Sequence, residues 1–237
     1  MANIPDDRWW SETESPKAWM SVRDADLLEE LLHRLAARRA GAPVRVVEWG
    51  AGRSTLWYTS YLQTLGVPFH WLAIEHNGRF FEQSVAGRLR SRPGAAVVDG
   101  RHAGPDELHG LLAGNSVVAV TYDAGDLRPF LPGRDADRDA DLDAYVWLPR
   151  LADFSCDLAI VDGRKRRRCV LEAAKILAED GQVVLHDAWR RHYQSAFSSY
   201  RSGRRFGDEW WIGAHRDTDF TDLLPWHAWE RHQEPDE

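Results

Sequence analysis

The chain has little cysteine. Cys156 and Cys169 are the only two in 237 residues, which excludes a disulfide framework and a four-cysteine zinc centre. It lacks long hydrophobic runs, and no stretch approaches the ~20 apolar residues of a membrane helix. Its first residues carry Pro5, Asp6 and Asp7 and do not show the charged, apolar, small-residue order of a secretory signal. A cytoplasmic location is therefore the default expectation. Positive charge is not in excess: 30 Lys and Arg against 37 Asp and Glu give a net charge of −7. General nucleic-acid binding is unlike such a balance, because it needs a broad basic face. No Gly-Lys-Ser/Thr follows a glycine turn, so a phosphate loop is absent.

What is present is an ordinary globular composition, 43% hydrophobic and 28% charged, with an unusual 12 Trp. Trp9, Trp10, Trp19, Trp210, Trp211, Trp226 and Trp229 lie near the ends of the chain. Packing accounts for such residues; so does an aromatic lid, since indole offers a large apolar face and one N–H donor.

Hydrophobic periodicity divides the chain into alternating elements. Residues 22–39 form an amphipathic helix behind Ser21-Val22-Arg23-Asp24, a capping-box pattern with Asp in place of Glu. Residues 1–40 then read as a lid segment and helix, and 41–237 as the main domain. Apolar strands are expected at 44–49, 70–75, 157–162 and 181–187, each followed by a helix or turn. Segments 95–98 and 117–122 compete for the third strand, and 209–213 is a late strand. Residues 124–144, rich in Asp, Arg, Gly and Pro, read as an exposed insertion. Continuous apolar strands alternating with helices predict a parallel sheet covered on both faces.

In such sheets ligands bind beyond the carboxyl ends of the strands. Polar residues follow the apolar strands at Glu48 to Thr55, Glu75 to Asn77, Asp162 to Arg168 and His186 to Trp189. Gly50-Ala51-Gly52 lets the backbone turn sharply and approach a ligand. The helix after it begins near Ser54 and aims its free N–H groups at the same space. Glu75, ending the second strand, is placed to accept two ribose hydroxyls. A dinucleotide enzyme shares these features, but Thr55 stands at the third glycine of its fingerprint.

Together these residues resemble the class I S-adenosylmethionine-dependent methyltransferases, in the small-molecule branch. The resemblance rests on Glu48-x-Gly50-x-Gly52, Ile74-Glu75-His76, Asp157-Leu158-Ala159-Ile160-Val161-Asp162-Gly163 and Gly181-Gln182-Val183-Val184-Leu185-His186-Asp187. It runs from about Trp19 to Asp187. It implies a doubly wound, Rossmann-like, seven-stranded mixed sheet with helices on both faces, and S-adenosylmethionine as cofactor. Glu48, Gly50, Ala51 and Gly52 would line the methionine and ribose side, with Ser54 and Thr55 on the carboxylate. Glu75 would take the ribose, His76 would lie near the adenine, and Asp162 would face the sulfonium. The implied activity is methyl transfer to an O or N atom of a small molecule, in the manner of secondary metabolism.

The same resemblance raises a metal. Catechol-type relatives hold magnesium with acids placed like Asp162 and Asp187, the candidate ligands here. The third ligand of that branch is Ala188 in this chain, which counts against magnesium. The metal-free alternative is a general base, His186 or His192. Asp162, His186, Asp187 and Tyr145 form the candidate catalytic set. Trp10, Trp19, Arg164 and Arg168 are candidates for the substrate; the arginines, from the basic run at 164–168, suit a carboxylate or phosphate. Tyr145 and Trp147 would close over the ligands from one side, Trp9, Trp10 and Trp19 from the other. A homodimer is compatible with all of this. Two other readings stay open. One is a non-methylating S-adenosylmethionine enzyme, by internal cyclisation or aminocarboxypropyl transfer with release of methylthioadenosine. The other is a non-catalytic binding protein that keeps the fold.

Overall fold

The computed structural model describes residues 17–124, 127 and 140–225. Trp9, Trp10, Trp226, Trp229 and most of the predicted insertion lie outside the described residues. Among the described residues no helix is long and apolar enough to cross a membrane.

Among the described residues one sheet of eight strands organises the fold, in the spatial order 95–99, 117–121, 69–75, 44–49, 156–161, 177–185, 210–214 and 202–206. Its centre is β1 (Val44–Trp49), parallel to β2 (Phe69–Glu75) on one side and to β5 (Cys156–Val161) on the other. β6 (Leu177–Leu185) continues the parallel set beyond β5. The hairpin of β7 (Ser202–Phe206) and β8 (Trp210–Ala214) closes that edge, with β8 antiparallel to β6.

The sheet has eight strands, one more than the seven that the resemblance implies: both competing segments pair, and β7 is a strand that the sequence pattern does not locate. β4 (Val117–Thr121) lies against β2, and β3 (Ala95–Asp99) lies outside it at the edge. A further departure is local. Helix α7 (Arg166–Ile176) ends before Leu177, so β6 begins earlier than the expected 181 and takes a register shift opposite Cys156 and Leu158. The helical segment after β2 consists of α3 (Gly78–Phe81), a π turn (Glu82–Ala86) and α4 (Gly87–Arg90).

The strands are apolar on both faces because helices cover both. Along β1, Val44 and Val46 face the core under α1 (Val22–Arg39) and α2 (Arg53–Thr64). Val47 and Trp49 face the opposite core with Tyr145 and Val146 of α6 (Asp143–Leu151) and Val170 of α7. Leu28, Leu31, Leu32 and Leu35 are the buried stripe of α1, as their spacing predicts. Each such side chain, once buried, contributes about 1.5–3 kcal/mol of transfer free energy.

The capping box at α1 forms only by half. The Ser21 hydroxyl accepts from the Asp24 N–H at 3.2 Å, but the Asp24 carboxylate does not reach back to Ser21. Instead it accepts the N–H groups of Asp208 (2.6 Å) and Glu209 (3.1 Å) in the β7–β8 turn. A sequence-local cap has become a tertiary clamp. It carries Glu209 to the ends of β5 and β6.

Candidate active site

The carboxyl ends of β1, β2, β5 and β6 surround a cavity of about 810 Å³. Gly50, Ala51, Gly52, Arg53 and Ser54 form one wall; Glu75, His76 and Asn77 form the next. Asp162, Gly163, Arg164 and Arg166 follow β5, and His186, Asp187, Trp189 and Arg190 follow β6. Glu209 reaches in from the hairpin, and Trp19, Met20 and Ser21 border the cavity from the N-terminal side.

The glycine turn is held in place before any ligand arrives. The N–H groups of Gly50 and Ala51 both donate to the Ile74 carbonyl, at 2.8 and 3.2 Å. The Gly52 N–H donates to Thr55 Oγ1 at 3.0 Å. Gly50 has φ +105°, and a Cβ there would lie 2.6 Å from the Gly163 nitrogen. Two strand-end turns thus pack backbone against backbone.

Glu48 corrects an expectation. It is buried, 1% exposed, and is absent from the cavity wall. Successive strand residues face opposite sides, and Glu48 points beneath the glycine turn toward α2. There it accepts from the hydroxyl of Ser54, from Thr55 Oγ1 at 2.6 Å and from Trp71 Nε1 at 2.8 Å. Burial lifts its pKa to about 7, against those three hydrogen bonds. Thr55 is buried beside it and also stays out of the cavity, whereas Ser54 lines it. Glu48 and Thr55 therefore shape the turn and do not touch the cavity.

Glu75 is where the sequence places it: at the tip of β2, on the cavity, 4% exposed. Its Oε1 accepts the Asn77 N–H at 2.8 Å and lies 2.8 Å from His76 Nδ1. Asn77 in turn caps α3 by accepting the Phe80 N–H at 3.0 Å.

Across the cavity, Asp162 Oδ1 lies 2.9 Å from Arg166 Nη2 and 3.1 Å from His186 Nδ1. Asp187 Oδ2 accepts from Arg166 Nη1 at 2.7 Å, and Arg190 Nε is 3.5 Å away. Burial would raise the Asp187 pKa, but Arg166, His186 and Arg190 hold it well below the usual carboxylate range. His186 packs against Trp210, with Nε2 3.5 Å from Glu209 Oε2 and 3.9 Å from Asp24 Oδ2. Its burial opposes charge, yet Asp162, Asp187 and Glu209 outweigh that and raise its pKa to about 9.

The carboxylates around the ring favour its protonated form over the neutral one that a general base needs. A folded-state pKa raised from 6.5 to about 9 stabilises the fold fully below pH 6.5 and loses that contribution as pH rises through 9. The expected loss is about 3 kcal/mol. Denaturant unfolding between pH 6 and 10 should show it, and His186→Gln should flatten that limb. An imidazole that titrates near its ordinary value by NMR would contradict the assignment.

Other expected site residues lie elsewhere. Tyr145 is fully buried beneath the turn after β5, where a Cβ on Gly163 would meet its hydroxyl at 2.1 Å. It supports Gly163 and is not on the cavity wall. Arg168 points away from the cavity, because its place in α7 turns it toward α6. It pairs with Asp143 and lies over the Trp147 ring, 5.7 Å from its centroid. Trp147 is thereby on the outer side of α6, not over the cavity. His192 stacks edge-on with Tyr193 at 4.2 Å and is absent from the cavity wall. Arg164 and Trp19 do line the cavity, and Trp19 is 62% exposed at its border. Trp10 lies outside the described residues.

Sequence reasoning misses Arg166, Glu209 and Asp24. Arg166 is hidden inside a basic run whose members face different ways. Glu209 and Asp24 come from segments distant in sequence, and only the hairpin clamp brings them together.

No protein-family model and no curated protein matches this chain. Solved structures do. The citrinin polyketide synthase CMeT domain superposes with a TM-score of 0.50 at 14% identity, over 81% of this chain and 52% of that one. The chain shares the Rossmann-like α/β fold of that domain. It spans about half the length of the CMeT structure. A methyltransferase-like protein from Silicibacter pomeroyi DSS-3 is similar at TM-score 0.49 and 17% identity, over 82% of this chain and 88% of that one. CalS11, a TDP-rhamnose 3′-O-methyltransferase of calicheamicin biosynthesis, follows at 0.44 and 14%, over 81% and 79%.

Proposed function

We propose that this chain binds S-adenosylmethionine and transfers its methyl group to an O or N atom of a small molecule. The observation that carries the reading is the convergence of Gly50, Glu75 and Asp162, from three adjacent strands, on one cavity. The fold shared with the citrinin polyketide synthase CMeT domain is in keeping with it.

The residues fit the cofactor. The Gly50-Ala51-Gly52 backbone gives a wall without side-chain bulk, and Ser54 stands at the start of α2, where free N–H groups favour a carboxylate. Glu75 is a buried carboxylate suited to two ribose hydroxyls, with His76 beside it. The cofactor, when bound, supplies an electrophilic methyl on a sulfonium. Asp162 offers the charge that complements a sulfonium, and Arg166 and His186 fix its orientation. Trp19 and Trp189 bring apolar surface to the acceptor side, which favours the exclusion of water that aligned transfer needs. Arg164 and Arg190 are placed for an anionic group on the acceptor.

Incubation with S-adenosylmethionine and a panel of hydroxylated and amine acceptors, followed by chromatography of the nucleosides, tests the reading. Acceptor-dependent S-adenosylhomocysteine is the expected product. Methylthioadenosine formed without an acceptor would overturn methyl transfer in favour of cyclisation.

A further inference from the structure

Asp162 and Asp187, the two candidate metal ligands read from the sequence, follow β5 and β6 and face each other at the cavity. The place between them is taken by protein. Arg166 Nη2 is 2.9 Å from Asp162 Oδ1, and Nη1 is 2.7 Å from Asp187 Oδ2. The remaining geometry leaves the guanidinium no slack. Nε donates to the Gly163 carbonyl at 2.9 Å, Nη1 to the His186 carbonyl at 2.8 Å, and Nη2 to the Asp162 carbonyl at 3.0 Å. A guanidinium has five N–H donors in a rigid fork, and these five contacts match that number. The side chain is 6% exposed, and the paired carboxylates raise its pKa further above the ordinary arginine value despite its burial.

We propose that Arg166 is the resident cation of this site, a positioning residue that fixes Asp162 and Asp187 and excludes a divalent metal from between them. Local structure explains how it arrives there. Lys165 takes a left-handed backbone, φ 52°, just before α7 begins, and the first helical residue is thereby turned back onto the strand ends. A magnesium ion requires oxygen ligands at about 2.0–2.1 Å in a near-octahedral set. Here the two carboxylates are already committed to a buried cation that would have to be expelled.

The other candidate grouping is His186, Asp187 and Glu209, whose ligand atoms fall within 4.8 Å of one another. Its Asp187 is likewise held by Arg166, while the His186 ring, bound to Asp162 through Nδ1, turns Nε2 toward Glu209 Oε2 at 3.5 Å. Both Arg166 and His186 contact the same oxygen, Oδ1, of Asp162, whose side chain remains 23% exposed toward the cavity. The arrangement thus holds one carboxylate in place at the cavity without a metal.

Manganese is the probe, read by electron paramagnetic resonance of the free ion and by calorimetry, on the full chain. The wild type is expected to leave manganese free. Arg166→Gln removes the charge and keeps hydrogen-bonding capacity, and it should gain manganese binding at least about tenfold tighter than the wild type. Adding Asp187→Asn should abolish that gain. Arg166→Lys keeps the charge and should not acquire the metal, which separates charge exclusion from simple loss of packing. Manganese binding by the wild type that Asp187→Asn removes would overturn the proposal. So would a folded Arg166→Gln variant with no gain. If that variant does not fold, the wild-type arm still decides. None of these readouts uses S-adenosylmethionine, so a failure of the methyl-transfer reading is seen separately, as absent cofactor binding.

Discussion

Gly50→Ala is expected to abolish cofactor binding and to destabilise the fold by roughly 3 kcal/mol or more. Two independent effects add. Gly50 sits at φ +105°, a region that L side chains rarely adopt. The added methyl would also lie 2.6 Å from the Gly163 nitrogen and 2.8 Å from the Asp162 carbonyl carbon. Both neighbours are backbone, and backbone here cannot yield cheaply. The Asp162 N–H donates to the Trp49 carbonyl at 2.9 Å, and the Gly50 N–H to the Ile74 carbonyl at 2.8 Å. Relief of the clash would pull apart the tips of β1, β2 and β5, the three strands that bring Gly50, Glu75 and Asp162 together. For a chain of this size the melting temperature should fall by about 6–12 °C. A Gly50→Ala protein with unchanged melting temperature and unchanged affinity for S-adenosylmethionine would refute this packing account.

Glu75→Ala is expected to weaken S-adenosylmethionine binding by at least about a hundredfold. Hydrogen bonds to a charged acceptor are worth about 1.5–3 kcal/mol each, and the ribose offers two hydroxyls. The Asn77 N–H loses its partner at the same time, so part of the effect is structural. Glu75→Gln separates the two. It keeps an acceptor for the Asn77 N–H and nearly the same shape, so its melting temperature should match the wild type. Its affinity should nevertheless fall about tenfold, because the charge-assisted bonds are gone. Isothermal titration of the three proteins reads this directly, and equal affinities would remove Glu75 from the site.

Much of this site was legible in the sequence because its signals are local. A continuous apolar strand followed at once by Gly50-Ala51-Gly52, or by Glu75, states both the element and the position of its polar tip. The side chain's facing is also local in principle, and Glu48 shows what neglecting it costs. Residues 48 and 50 do not share a role merely by proximity, since strand alternation sends Glu48 under the turn. Helical phase likewise separates Ser54 on the cavity from Thr55 behind it, and Arg166 on the strand tips from Arg168 on α6.

Other features depend on pairings that no local pattern contains. Segments 95–99 and 117–121 are both short and apolar, and only partner choice makes β4 a central strand and β3 an edge. Asp24 has the spacing of a cap, yet the N–H groups of the β7–β8 turn compete for its carboxylate and win. His186 is an ordinary histidine in the sequence. Asp162 contributes most to its raised pKa, ahead of the neighbouring Asp187 and of Glu209, and Asp162 and Glu209 reach it from different elements.

The most direct measurement is calorimetric titration of the wild-type chain with S-adenosylmethionine. Saturable binding at one site with micromolar affinity is the predicted result, and addition of a metal chelator should leave it unchanged. No heat of binding at any attainable cofactor concentration would contradict the central claim that the cavity framed by Gly50, Glu75 and Asp162 is a site for this cofactor.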